Sequence, residues 1–282
     1  RTAATISSRS PRPRSWRRSS PDELRVMRLV ASAAALLMLG GAGRPAMADW
    51  LTIEKPRATL VYEENALTPT EASRFAGFLD QGIADVESYL RPAAPDGLRE
   101  GHIVYRVGAD LPYSMTRGRT VSLMVERVRT DSAPYLHETV HVLVPAPNRS
   151  VWLSEGFASY VESYVSENIG GYDAHVFSKT GNRGVDTEAA RWLGREAGRT
   201  VLPWVGTPGE PPEMIEERRR VAAPFYVLSQ SFAKFLVAKL GLARVISLVS
   251  SRDPEGTLLS LSGRSAEDWK ADWLRTLPAG TG

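Results

Sequence analysis

Cysteine is absent from the 282-residue chain, which excludes disulfide bonds and leaves no thiolate to bind a metal. Histidine is scarce, and the only four are His102, His137, His141 and His175. Any metal centre must therefore use histidine and carboxylate side chains. The composition is otherwise ordinary for a globular protein, with 43% hydrophobic and 24% charged residues.

Acidic residues are almost missing from the first 48 positions, which carry nine arginines and two acids. This segment has a net charge of +7, so the overall +3 leaves a net charge of −4 on residues 49–282. The high isoelectric point therefore belongs to the N-terminal segment. The remainder lacks the basic surface that nucleic-acid binding requires, and we expect no nucleic-acid partner.

The N-terminal segment lacks an apolar run long enough for a typical membrane-spanning helix. Residues 1–24 are rich in arginine, serine and proline, and we expect a disordered basic leader. Two arginines then precede an apolar run of about 14 residues, shorter than the roughly 20 of a spanning helix, and an Ala-x-Ala sequence ends at Ala48. These features predict a signal peptide over 25–48, cleaved after Ala48, and a secreted or periplasmic protein. Membrane association is expected only if this segment stays uncleaved.

The remaining chain carries its strand signals before most of its helix signals. Alternating apolar residues predict strands over 57–63, 102–107 and 119–125. Apolar residues at helical spacing predict a helix over 69–90, with Thr68 or Thr70 as its cap. Further helices are expected at 133–144, 151–166, 186–197, 223–240, 242–250 and 265–276. The sequence thus predicts an α+β fold with a small mixed sheet followed by a helical half.

Two of the four histidines flank a glutamate in the sequence His137-Glu138-Thr-Val-His141. Asp131 or Ser132 could cap the helix that holds them. Residues four apart lie on one helix face, so both imidazoles can bind one ion. Glu138 lies beside the metal, where a general base can take a proton from water. The competing interpretation is a solvated helix with two surface histidines.

A third ligand is needed because catalytic zinc usually has three protein ligands and one position for water. Glu155 lies in the next predicted helix, which follows a short loop and has Asn148 or Ser150 as its predicted cap. A helical hairpin of this kind brings Glu155 back beside His141. The sequence therefore predicts one zinc ion bound by His137, His141 and Glu155.

The run Trp152-Leu-Ser-Glu155-Gly-Phe-Ala-Ser-Tyr160 resembles the third-ligand helix of the gluzincin metallopeptidases. These include the thermolysin and aminopeptidase N families and the smaller bacterial peptidase MA-like domains. The resemblance implies a zincin-like domain over 49–282, with the sheet and active-site helices in 49–166 and a mostly helical part in 167–282. It also implies peptide or protein substrates.

The segment that begins at Pro224-Phe225-Tyr226 is similar to an aminopeptidase helix whose tyrosine stabilises the oxyanion of the tetrahedral intermediate. The resemblance gives Tyr226 this role and gives Glu138 the role of general base. It also implies that the strand before the active-site helix, 119–125, is an edge strand that pairs with extended substrate. Ser122, Leu123 and Met124 are its candidate substrate-binding residues.

The sequence departs from aminopeptidase N in two ways. Only 13 residues separate His141 from Glu155, and no Gly-x-Met-Glu-Asn sequence is present to bind a free N-terminus. The second absence favours an endopeptidase. The alternatives are an aminopeptidase of the same clan and a non-catalytic, zincin-like binding module of the cell envelope.

Overall fold

The computed structural model of the chain describes residues 49–109, 111, 113–169 and 180–279. The expected leader and signal peptide, together with His175, lie outside the described residues. The described part has the predicted α+β architecture: the strands of a five-stranded sheet all lie before residue 125, and the elements after them are helical.

The sheet is mixed, with parallel strands at its centre and an antiparallel strand on each side. Its strands are β1 (Trp50–Glu54), β2 (Ala58–Glu63), β3 (Ile103–Gly108), β4 (Met115–Arg117) and β5 (Thr120–Met124), in the spatial order β1-β2-β3-β5-β4. β2, β3 and β5 are parallel, while β1 and β4 run antiparallel to their neighbours. Three alternate residues of β3 are completely buried, which is typical of a central strand: Ile103, Tyr105 and Val107.

The prediction that 119–125 forms the edge strand is wrong. β5 lies inside the sheet, paired with β3 on one side and with β4 on the other, so its backbone has no free edge for substrate. The edge strand on this side of the sheet is β4, a three-residue strand that the sequence pattern did not indicate. The three proposed substrate-binding residues all lie on this interior strand and therefore do not form a substrate-binding edge: Ser122, Leu123 and Met124.

Helix α1 (Pro69–Leu90) has the predicted bounds and packs against the sheet. The Thr68 hydroxyl accepts a hydrogen bond from the Glu71 N–H, and the Glu71 carboxylate accepts one from the Thr68 N–H. This capping box satisfies two backbone donors that the first turn would otherwise leave free. The apolar stripe is buried, as its helical spacing predicts: Ala72, Phe75, Leu79, Ile83, Val86 and Leu90.

Three helices follow the sheet: α2 (Val125–Arg129), α3 (Tyr135–Leu143) and α4 (Val151–Asn168). α3 and α4 form the expected hairpin. The predicted cap of α3 is wrong, because the helix begins at Tyr135 without a side-chain cap, beyond Asp131 and Ser132. The connecting loop is held by Asn148, which accepts the Ser150 N–H and donates to the carbonyls of Val249 and Ser251.

The second part of the described chain is helical. Its helices are α5 (Gly181–Leu193), α6 (Glu196–Val201), a 3-10 turn (Leu202–Trp204), α7 (Glu213–Glu216), α8 (Arg218–Leu240), α9 (Leu242–Val249), α10 (Pro254–Ser262) and α11 (Ala266–Thr276). The single helix predicted over 186–197 is two helices, α5 and α6, and α10 was not predicted.

Helix α8 is the central element of this part and packs against α4. The two helices approach closely at Gly156, where an added Cβ would lie 2.3 Å from the Ser229 carbonyl oxygen. Trp152 of α4 stacks on Phe232 of α8 with ring centroids 5.0 Å apart. By length and hydropathy α8 could cross a membrane, but 56% of its most apolar stretch is buried within the protein. This burial is typical of the core helix of a globular protein.

Candidate metal centre and catalytic cleft

Three side chains of the α3–α4 hairpin converge on one point. His137 and His141 lie on one face of α3, and their Nε2 atoms are 3.1 Å apart. Glu155, the fifth residue of α4, places its carboxylate oxygens 3.1 Å from His137 Nε2 and 3.5 Å from His141 Nε2. The structure thus brings together the three predicted ligands.

The spacing of these atoms fits a tetrahedral zinc site. Zinc–nitrogen and zinc–oxygen bonds of about 2.0–2.2 Å place neighbouring ligand atoms ~3.3 Å apart on a tetrahedron. The two Nε2 atoms are 3.1 Å apart, Glu155 Oε2 lies 3.1 Å from His137 Nε2, and Glu155 Oε1 lies 3.5 Å from His141 Nε2. Each distance lies near this value. Within residues 49–109, 111, 113–169 and 180–279, this is the one group of three or more such side chains whose donor atoms cluster closely enough to hold a metal ion. The donor set and its dimensions therefore fit zinc.

The cluster also attracts positive charge. Burial favours the neutral form of His137, but the hydrogen bond to Glu155 and the charges of Glu155, Glu162 and Glu138 outweigh it and raise the pKa of His137 to about 9. Burial alone would raise the pKa of Glu155, yet the two imidazoles hold it well below its usual range. A proton or a metal ion is accordingly stabilised between the imidazoles and the carboxylate.

Behind the ligands, α4 supplies two groups that the sequence analysis did not identify. The Ser159 hydroxyl lies 3.4 Å from His137 Nδ1, the ring nitrogen that points away from the cluster. Glu162 is fully buried, and its charge acts on His137. Such outer contacts orient a ligand histidine. Their signal in the sequence is the spacing from Glu155 by four and seven positions, which places all three side chains on one face of α4.

Glu138 is buried, with 7% of its surface exposed, but it is not part of the ligand cluster. Its carboxylate oxygen Oε2 accepts a hydrogen bond of 2.7 Å from the hydroxyl of Thr116 on the edge strand β4. The same hydroxyl lies 3.3 Å from the Glu138 carbonyl oxygen. This contact fixes the orientation of the carboxylate while leaving Oε1 available. Thr116 was missed because a three-residue strand has no recognisable sequence pattern.

Tyr226 lies on α8, and its side chain lines the same cleft as Glu138 and Glu155. Burial, followed by the negative charge of Glu155, raises the pKa of the Tyr226 phenol well above its usual range, and the charge of Arg218 opposes this effect. The phenol therefore stays protonated at neutral pH and can donate a hydrogen bond. Tyr226 thus lines the cleft that contains the ligand cluster, and its role towards the oxyanion stays a prediction.

The cleft is about 910 Å³ in volume, and the ligand cluster is part of its lining. One wall is formed around β4 and includes Ser114, Met115 and Thr116, while Ser154, Arg218 and Tyr226 line the helical side. The three predicted substrate-binding residues do not line the cleft: Ser122, Leu123 and Met124. Residues of the neighbouring strand β4 line it instead. His102 lies elsewhere, 2.7 Å from the Thr59 hydroxyl and 3.5 Å from Glu54.

Comparison of the sequence with known proteins finds no matching family model and no matching curated protein. Comparison of the structure finds solved structures with a similar fold. Yeast LTA4 hydrolase aligns with 80% of this chain and 38% of its own, at 14% identity and a TM-score of 0.52. A variant of the M1 zinc metallopeptidase of Deinococcus radiodurans, bound to a Tyr-Ser-Ala substrate, aligns with 78% of this chain and 49% of its own, at 18% identity and a TM-score of 0.46.

The chain spans half or less of the length of these two solved structures. The alignment with yeast LTA4 hydrolase establishes a similar fold over most of this chain. It agrees with the α+β, zincin-like architecture predicted from the sequence.

Proposed function

We propose that this protein is a zinc-dependent peptidase that hydrolyses internal bonds of extended peptides. One observation carries the proposal: the donor atoms of His137, His141 and Glu155 lie close enough together to hold one ion, and the charge of Glu138, a buried glutamate outside this group, acts on His137. A solvated helix with two surface histidines does not explain this arrangement. Its histidines would be exposed, whereas 4% of the surface of His137 is accessible.

The chain supplies a complete set of groups for peptide hydrolysis. A bound zinc ion would acidify water and polarise the substrate carbonyl. The carboxylate of Glu138, held by Thr116, takes the proton from the attacking water and delivers it to the leaving amine. The Tyr226 phenol donates a hydrogen bond to the carbonyl oxygen as that oxygen becomes negative. His137, His141 and Glu155 hold the ion in place.

The charges of the cleft favour an endopeptidase over an aminopeptidase. The described residues that line the cleft include two carboxylates, Glu138 and Glu155, and both already have roles in the reaction. An aminopeptidase needs a further carboxylate for the free α-ammonium group, because a buried unpaired charge is costly. The backbone edge of β4 offers an alternative anchor, since an extended peptide can bind there by strand addition whatever its N-terminus.

Zinc quantitation on three proteins tests the assignment of roles. The parent protein should bind close to one zinc per chain. Glu138→Gln should keep the zinc and lose hydrolysis by at least about 10²-fold, because a base is removed and no ligand is lost. Glu155→Ala should lose zinc affinity, since a ligand is removed. Release of zinc by Glu138→Gln would show that the two glutamates are assigned the wrong way round.

A matched series of peptides with and without N-acetylation tests the mode of cleavage. At equal zinc occupancy, blocked and free peptides should be cut at the same internal bonds and at similar rates. Stepwise cleavage of only the free peptides would establish the aminopeptidase alternative. A zinc-loaded protein that binds these peptides and cuts none of them would support the non-catalytic module instead.

A further inference from the structure

Three arginines line the cleft, Arg99, Arg127 and Arg218, against the two carboxylates of the reaction centre. None of the three forms an ion pair with a carboxylate of the described residues. Arg99 donates a 3.3 Å hydrogen bond to the Gly118 carbonyl. A bound zinc ion would balance the two glutamates, so the cleft would carry the full charge of three guanidinium groups.

The positive cleft contrasts with the remainder of the chain. Residues 49–282 carry more acids than bases, so the cleft is not positive merely because the protein is basic. Other arginines at the surface are paired with acids, for example Arg74 with Asp131 and Arg91 with Glu87. The three cleft arginines have no such acidic partner among the described residues, so their guanidinium groups can bind an anionic group of a ligand. A cleft lined by one sign of charge concentrates ligands of the opposite sign.

Two of the arginines mark opposite ends of the active-site helix. The Arg99 N–H donates to the carbonyl of Leu143, the last residue of α3. The Arg127 carbonyl accepts from the Ser132 N–H just before α3, and Arg127 lines the cleft together with Pro134. A helix of nine residues is ~13 Å long. An extended peptide of roughly four residues has the same length.

The third arginine lies on the helical wall. Arg218 is the first residue of α8, and its charge acts on the Tyr226 phenol two turns further along the same helix. Arg218 lines the same cleft as Glu138 and Glu155. All three arginines therefore line the cleft that contains Glu138, Glu155 and Tyr226.

We infer that the cleft selects peptides that carry carboxylates within about two residues of the bond to be cut, through Arg99, Arg127 and Arg218. The inference rests on the proposed peptidase function and gives its substrate class. A carboxylate can be an Asp or Glu side chain or the free C-terminus of a short peptide. Both would form charge-assisted hydrogen bonds with a guanidinium group.

Binding is measured first, on zinc-loaded Glu138→Gln, so that the result does not depend on hydrolysis. Four fluorescent octapeptides of otherwise equal sequence are compared by anisotropy. One has glutamates on the N-terminal side of its central bond and one has them on the C-terminal side. Two have glutamines throughout, one amidated at its C-terminus and one with a free carboxylate there. At least one carboxylate-bearing peptide should bind about tenfold more tightly than the amidated glutamine peptide in low salt.

The source of the charge follows from which peptides gain affinity. A gain of the glutamate peptides identifies acidic side chains, and a gain of the free-acid peptide identifies the C-terminus. The difference in affinity between these peptides and the amidated glutamine peptide should decrease as the salt concentration is raised to 300 mM, since exposed charges are screened. Equal affinities of all four peptides in low salt would overturn the inference while leaving the proposed hydrolysis intact.

Substitutions of the arginines complete the test in the same background. Arg99→Gln, Arg127→Gln and Arg218→Gln should each reduce the gain, by up to about fivefold per exposed pair. Arg→Lys at the same positions should retain most of it. Arg244→Gln changes an exposed arginine of α9 that does not line the cleft, and it should leave the gain unchanged. If the three cleft variants behave like Arg244→Gln, the inference is wrong. If zinc-loaded parent protein binds acidic peptides tightly but never cuts them, the proposed peptidase function is wrong and the preference for acidic peptides still holds.

Discussion

At the scale of single residues, the hydrogen bond from Thr116 to Glu138 connects the edge strand with the general base. A carboxylate is useful as a base only if it faces the water that it deprotonates. The Thr116 hydroxyl holds one oxygen of Glu138 at 2.7 Å, and the other oxygen is left for the reaction. The same strand, β4, would thus both bind the substrate and orient the general base.

Thr116→Val should lower kcat by about ten- to a hundredfold, since a hydrogen bond to a charged group is worth ~1.5–3 kcal/mol. The zinc content should not change, because Thr116 is not a ligand. Thr116→Ser keeps the hydroxyl and should retain most of the rate. Steady-state kinetics on an internally quenched peptide would measure all three proteins. Equal rates for the valine and serine variants would show that the contact has no role in orienting Glu138.

The pKa of His137 gives a second prediction at this scale. With a pKa of about 9 in the metal-free protein, His137 is protonated at pH 7 and must lose its proton to bind zinc. The apparent zinc affinity should therefore rise by up to about tenfold per pH unit between pH 7 and 9, and less steeply above. Titration calorimetry at pH 7.5 in two buffers of different ionisation enthalpy should show proton release. No release at that pH would mean that His137 is already neutral.

The residues that were predicted from sequence are those whose roles follow from local spacing. His137, Glu138 and His141 share one helical turn, and Glu155 follows after one short loop, so a linear pattern contains the whole group. Thr116 reaches Glu138 only through the pairing of β4 with β5. The cleft arginines are brought together by contacts between distant segments, and no periodicity in the sequence records such contacts.

At the scale of elements, the close approach of α4 and α8 at Gly156 connects metal binding with the helical wall of the cleft. Gly156 follows the ligand Glu155 directly, and the facing atoms belong to the backbone of Ser229. Backbone cannot rotate away as a flexible side chain can. Any larger residue at this position must push the two helices apart, and Glu155 moves with α4.

Gly156→Ala should lower the free energy of unfolding by ~1–3 kcal/mol, the usual cost of overpacking, and should weaken zinc binding. Gly77→Ala is the matched control, because Gly77 also lies in a helix but has no atom within 4 Å of an added Cβ. It should be neutral or stabilising by up to ~1 kcal/mol, since alanine favours helix more than glycine. Urea unfolding of both variants measures the difference. Equal effects at the two positions would contradict the close packing.

Elements were predicted well where their signals are local and poorly where pairing decides. α1 has a capping box at one end and an apolar stripe along its length, and its bounds were obtained correctly. β4 has three residues, too few for an alternating pattern, and its edge position arises from tertiary pairing. The boundary between α5 and α6 was likewise missed because a packing contact determines it. Gly198 packs against the Trp192 backbone there, a contact between neighbouring turns that hydrophobic periodicity does not show.

At the scale of the whole molecule, the cleft is lined by residues from both parts of the fold. Its lining includes residues of β4, of the α3–α4 hairpin and of α8. The α+β order was predictable because the strand patterns precede most helical patterns along the chain. The position of the cleft was predictable only in outline, since the edge strand was assigned to the wrong segment.

Zinc should stabilise the whole fold because it binds the folded hairpin and not the unfolded chain. At a free zinc concentration of 100 times Kd the gain is ~2.7 kcal/mol. For a domain of this size, this corresponds to a rise in Tm of roughly 5–10 °C. Calorimetry with and without a chelator measures it, and Glu155→Ala should show a much smaller rise. An unchanged Tm in the parent protein would show that the ion is bound equally by the unfolded chain or not at all.

The ligand cluster is contained in one hairpin, and this bears on the order of events during folding. His137 and Glu155 are separated by 18 positions, so closing the loop between them costs little entropy compared with bringing distant segments together. The edge strand joins over a similar distance along the chain, since Thr116 and Glu138 are 22 positions apart, whereas α8 joins through a much longer separation. Zinc capture therefore need not await the docking of α8, and a nascent chain that has formed the α3–α4 hairpin already holds every predicted metal ligand.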